Sequence, residues 1–150
     1  MRQFGTYLFT ILITLWVGSL WAFGFAAALL QKQLADRTLA GNLAGQLFAA
    51  VAWLGMLAGV YGLIYLFRQS GAGIMKTLVF WLMLLMLLLT VAAHFGITPI
   101  LSQLRADALP HEVLASAFRS RFLAWHGVSS LVYLIEAAMG LVLVTQLFKR

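Results

Sequence analysis

The sequence predicts an all-α integral membrane protein, a four-helix bundle of up-down topology with residues 1–150 forming one domain. Three observations predict it. The 150 residues are 63% hydrophobic and only 9% charged, with a mean hydropathy of +0.98. Soluble domains run near about 45–50% apolar and about a quarter charged, so a water-soluble globule of this composition could not cover its own surface. Disordered chains are poor in apolar residues, which excludes disorder. There is no cysteine, which removes disulfides, thiolate metal sites, iron–sulfur ligation and cysteine nucleophiles together. Finally, four stretches reach the roughly 20 apolar residues that a spanning helix needs.

The first stretch runs from Phe4 to Leu30 without a charge. It resembles a signal peptide in opening on Arg2 and reaching Ala26-Ala27-Ala28, but it is longer than the roughly 7–15 residues of an h-region. It reads as a retained span. The second runs from Leu43 to Phe67 and is closed by Arg68. The third runs from Ile74 to Thr98, with Lys76 at its start and His94 near its end. The fourth runs from Ser120 to Phe148 and contains His126 and Glu136. Hydrocarbon offers no water to backbone groups, and runs of this length exceed the ~10 residues of a barrel strand, so each span is expected to be helical.

Four spans put both termini on one side, with Arg2, Arg68, Lys76, Lys149 and Arg150; the other side carries Lys32, Arg37, Arg105, Arg119 and Arg121. The Lys and Arg counts tie. The first set, however, is packed into short tails and one turn without an acid, while Asp36, Asp107 and Glu112 dilute the second. This favours both termini in the cytoplasm. The net charge of +6 suits anionic lipid headgroups. Nucleic acid is not an expected partner, because no basic stripe or readout element is present. The expected partners are the bilayer itself and a second copy or another membrane protein.

Gly41, Gly45, Ala52, Gly55, Gly59 and Gly62 form a small-residue ridge on the second span, which lets backbones approach and places that helix centrally. Trp81 and Trp125 lie near span ends, as in an aromatic belt; Trp16 and Trp53 lie deeper and are expected between helices. Pro99 frees the carbonyl of Phe95 and should bend the third helix. Pro110 is suited to opening the fourth helix, which would then have an amphipathic first section.

Ionisable residues inside a membrane each suggest a site. His94 and His126 fall in the same half of the bilayer, near the non-cytoplasmic surface, with Gln46 at similar depth. Ser129 and Tyr133 share the face of His126; Thr90 and Met83 lie near that of His94. Two imidazoles on neighbouring helices suit haem iron or copper, and methionine would favour Cu(I). The plainer reading is a hydrogen bond from each imidazole to a carbonyl, a serine or water. Glu136 sits near the bilayer centre with no Lys or Arg at its depth. A charged, unpaired carboxylate there costs about 3 kcal/mol or more, so a protonated acid is expected, with Thr10 and Thr14 as hydrogen-bond acceptors. Its alternatives are an interhelical clasp and a proton carrier.

Trp16-Val17-Gly18, Trp21 and Phe23-Gly24-Phe25 resemble the opening helix of the bacterial transmembrane protein 205-like family, four-helix membrane domains of unknown function. Asp36-Arg37, Ala40-Gly41, Ala44-Gly45 and Leu47-Phe48 are similar to the entry of its second helix. Phe95, Ile97, Pro99-Ile100 and Leu104-Arg105 are similar to the end of the third, and Phe122 with His126-Gly127-Val128-Ser129 to the start of the fourth. The resemblance implies a multi-pass protein of the bacterial inner membrane and carries no catalytic mechanism. The family is loosely similar to copper-resistance D-type proteins and to haem-containing membrane protoporphyrinogen oxidases. That likeness draws attention to His94 and His126 as ligands of haem b or copper, but this chain has no counterpart of a catalytic lysine.

Three functions follow: a non-enzymatic accessory or structural membrane subunit, a haem- or copper-binding protein, and a small metal or solute transporter acting as an oligomer. No nucleophile–base pair or phosphate loop names a reaction, so the sequence does not decide whether the protein is an enzyme.

Overall fold

The computed structural model describes residues 2–109 and 111–149, and among these it contains helices and no strand. Helix α1 spans Arg2–Gln33 and α2 spans Arg37–Ser70. The third rod is α3 (Leu78–Ala92) continued through a π-helical turn, Ala93–Ile97, into α4 (Thr98–Ala108). Helix α5 spans Arg119–Phe148. All four rods are long and apolar enough to cross a membrane. The all-α four-helix bundle is therefore the fold.

The rods start and stop where local chemistry dictates. Asp36 accepts from the amides of Thr38 (2.8 Å) and Leu39 (3.0 Å), so α2 begins well before the expected Leu43. Gly71, with φ +59°, ends α2 and lets its amide bond the Phe67 carbonyl. A 3-10 turn, Gly71–Lys76, then buries Ile74, and Thr77 caps α3, which moves the third helix's start from Ile74 to Leu78. Residues Val113–Ala115 form a separate 3-10 turn, and α5 starts only at Arg119. Pro110, expected to open that helix, and Arg150 lie outside the described residues.

Neighbouring rods are antiparallel. Tyr61 Oη bonds the Gly5 carbonyl while Trp16 meets Gly55; Gly59 faces Leu87 while Gly62 faces Met83. Gly140 lies against Met86 while Glu136 bonds Thr90, and Val17 meets Gly140 while Gly24 meets Tyr133. In each pair one number rises as the other falls. The order around the bundle is thus α1, α2, the third rod, α5 and back to α1, with both ends of the chain at one end of the bundle.

Trp16, Leu20, Ile74, Met83, Met86 and Leu143 are completely or almost completely buried. The glycine ridge of α2 serves them. A Cβ on Gly55 would lie 2.5 Å from Trp16 Nε1, so this glycine is the seat of an indole. The ridge admits side chains from α1 and α3, where the sequence suggested close backbones. Trp53 is a second departure. Expected between helices, it is 60% exposed, and its ring meets His94 and Phe95 edge-on.

At Pro99 the chain makes a π turn. The Thr98 amide and its hydroxyl (3.1 Å) both bond the Ala93 carbonyl, so donors lost to the proline are replaced by a wider turn.

Candidate functional site

Chemistry-bearing side chains gather at two levels of the bundle. The deeper one is built by α1, α3 and α5. Glu136 is 4% exposed and Thr90 is 2% exposed, and these are the buried polar side chains among the described residues. Thr90 Oγ1 lies 2.5 Å from Glu136 Oε1 and 2.9 Å from the Met86 carbonyl oxygen. A hydroxyl has one proton. That proton can go to the Glu136 carboxyl or to the Met86 carbonyl; donated to Met86, it would leave the Thr90 oxygen able to accept from a protonated acid. The indole N–H of Trp16 is buried beside this carboxyl without a hydrogen bond. One turn away Tyr133 donates to the Leu20 carbonyl, tying α5 to α1.

Thr10 and Thr14, expected to receive Glu136, do not reach it. Both are exposed: Thr10 bonds the Thr6 carbonyl at 3.0 Å, and Thr14 lines an outer apolar groove of about 400 Å³ between α1 and α2 with Gly18 and Ala50. Met83, placed near His94 by helical phase, is fully buried against Gly62.

The second level is the rim formed by α2, α4 and α5. Arg105 on α4 turns inward. Its guanidinium carbon stands 5.3 Å from the Phe122 ring centroid and 3.4 Å from where a Cβ on Gly41 would be. Nη1 donates to the Gly41 carbonyl over a long 3.4 Å. On the same phenyl ring His126 stacks at 5.8 Å and 10°. The step Gly41/Gly45 is therefore the floor of an arginine site.

His94 sits within the π turn, half-buried, 5.5 Å from the Trp53 ring. Among the described residues, no ring contact or hydrogen bond joins His94 to His126. No group of three or more His, Asp or Glu converges on a metal-sized site there either. Gln46 is exposed.

The family model described as a domain of unknown function, DUF4149, matches residues 11–110. The chain belongs to the DUF4149 family. No curated protein and no solved structure matches it. Within this DUF4149 protein the matched stretch holds Trp16, Gly41, Gly55, Thr90, His94 and Arg105, and it stops short of Phe122, His126 and Glu136. Arg105 was legible in the sequence as a charge that helps set orientation and as part of the family resemblance, not as an inward-facing residue. The signal that it faces inward is its register: Leu101, Leu104 and Ala108 on α4 are buried, and Arg105 adjoins that stripe.

Proposed function

We propose that this DUF4149 protein is a non-enzymatic accessory or structural subunit of the bacterial inner membrane, with both termini in the cytoplasm. The observation that carries the reading is the use made of Glu136. The bundle's buried carboxyl closes a hydrogen-bonded clasp between α5 and α3, in a core otherwise filled by Trp16, Met83, Met86 and Leu143. An isolated carboxyl makes a poor proton relay, and interhelical polar pairs of this kind hold helices together by about 0.6 kcal/mol on average. The acid-free cluster of basic residues at the termini and at the α2–α3 turn supports the orientation. The resemblance to the transmembrane protein 205-like family supports a membrane role without a reaction.

The competing reading, haem b or copper on His94 and His126, needs both imidazoles on one ion. Each is instead packed against its own aromatic partner, Trp53 and Phe122. An optical spectrum and elemental analysis of protein extracted in mild detergent separate the two. The accessory reading expects no Soret band and no stoichiometric copper, and a discrete larger assembly on native separation. A Soret band or a copper atom lost in His94→Ala or His126→Ala overturns it, as does protein that migrates alone.

A further inference from the structure

We infer that Arg105 is the anchoring cation of a binding site for a phosphate-bearing anion at the end of the bundle opposite the termini. Four observations lead there. The guanidinium is half-buried between three helices, with Gly41 as its floor and Phe122 as its wall. Its five N–H donors meet one protein acceptor, the Gly41 carbonyl at 3.4 Å, which uses one donor and uses it weakly. No carboxylate pairs with it among the described residues. Asp36, the acid on the adjoining loop, is committed to capping α2.

The third observation is position. The third rod, Leu78–Ala108, has 31 residues and is therefore about 46 Å long, against about 30 Å for the hydrocarbon core. Helix α4, with Ser102, Gln103 and Asp107 exposed, is the part that rises into the headgroup layer, and Arg105 lies on it. The fourth is the company. His126 shares the Phe122 ring and adds a second polar ring edge, and Arg37, Arg119 and Arg121 at this end of the bundle draw anions toward it.

A planar fork of unused donors, held open by a glycine and an aromatic face, matches the oxygens of a phosphate. A merely snorkelling arginine would reach outward to the interface; this one is folded inward. The phosphate can come from a phospholipid headgroup or from free phosphate in the aqueous phase.

Native mass spectrometry of the full chain, released from nanodiscs of phosphatidylglycerol and phosphatidylcholine, tests the first source. Calorimetry with inorganic phosphate in detergent tests the second. Wild type should retain at least one phospholipid or bind phosphate, and Arg105→Gln should reduce that at least tenfold while Lys32→Gln leaves it unchanged. Loss confined to the lipid arm assigns a headgroup; loss confined to calorimetry assigns free phosphate. Folded wild type that binds neither overturns the proposal, and so does Arg105→Gln binding equal to wild type, or an equal loss in Lys32→Gln. If circular dichroism shows Arg105→Gln unfolded, Arg105→Lys decides. It keeps the charge and loses the fork, so binding should fall several-fold, and unchanged binding overturns the site.

Discussion

The centre and the rim of this bundle treat polar side chains in opposite ways. At the centre, Glu136 and Thr90 use one another and the Met86 carbonyl, and the Trp16 N–H packs unpaired beside them. At the rim, Arg105 has one long hydrogen bond and several free donors. The difference follows from the surroundings. Hydrocarbon supplies no replacement partner, so a polar group at mid-depth depends on the protein for whatever hydrogen bonds it makes. The headgroup layer supplies water, phosphate and ester oxygens, so unused donors are tolerated there and are available to a ligand. The same contrast separates two uses of glycine on α2: Gly55 gives way to a rigid indole, and Gly41 to a flexible guanidinium stem.

Substituting the central glycine breaks this comparison most sharply. In Gly55→Ala the new methyl would lie 2.5 Å from Trp16 Nε1, and Trp16 is fully buried. The ring has nowhere to swing, so overpacking should cost about 1–3 kcal/mol, read as a lowered thermal midpoint in detergent. A loss under about 0.5 kcal/mol would mean that the indole is loosely held. Next comes Thr90→Val, which keeps the shape and removes the hydroxyl. Glu136 then loses its hydrogen bond to α3 and keeps only the Trp16 N–H beside it, and a loss of about 1 kcal/mol is expected in the same assay. An unchanged midpoint would sever the clasp from stability.

The sequence revealed the rods more readily than their contacts, for a physical reason. Run lengths of apolar residues encode position along the membrane normal, and they put His94 on the third rod and His126 and Glu136 on the fourth, as the structure has them. Depth says nothing of azimuth. Thr10 and Thr14 were matched to Glu136 by height alone, yet both are exposed on α1 and α5 meets that helix through Val17 and Gly24, while Thr90 faces Glu136 from α3. Trp53 fails in the same way: it is deep along its helix yet turned to the lipid side. Pro99 signalled a bend, but hydropathy cannot tell a kink from the π turn that Thr98 stabilises. The Asp36 and Thr77 caps were readable types whose effect was to lengthen α2 and shorten α3.

Glu136→Gln sharpens the central half of the comparison. An amide is nearly isosteric with a protonated acid and can donate to Thr90 Oγ1 as a protonated acid would. A neutral clasp therefore predicts a midpoint within about 0.6 kcal/mol of wild type. Infrared spectra at neutral pH should show a protonated carboxyl band that Glu136→Gln removes. A carboxylate band lost in the variant would show that Glu136 is charged, and the clasp would then need a cation.

The smallest effect is expected at the rim. In Gly41→Ala the added methyl meets Arg105 Cζ and Nη2 at 3.4 Å, at the edge of ordinary contact. The neighbour is the end of a long side chain that can shift by a few tenths of an ångström, so stability should change by less than about 0.5 kcal/mol. The guanidinium nevertheless rests on that glycine, and the methyl moves it off its floor. Phosphate or headgroup binding should consequently weaken in Gly41→Ala while the thermal midpoint stays put. The reverse pattern, a large loss of stability with binding intact, would mean that Gly41 serves helix packing as Gly55 does, and that centre and rim obey the same rule.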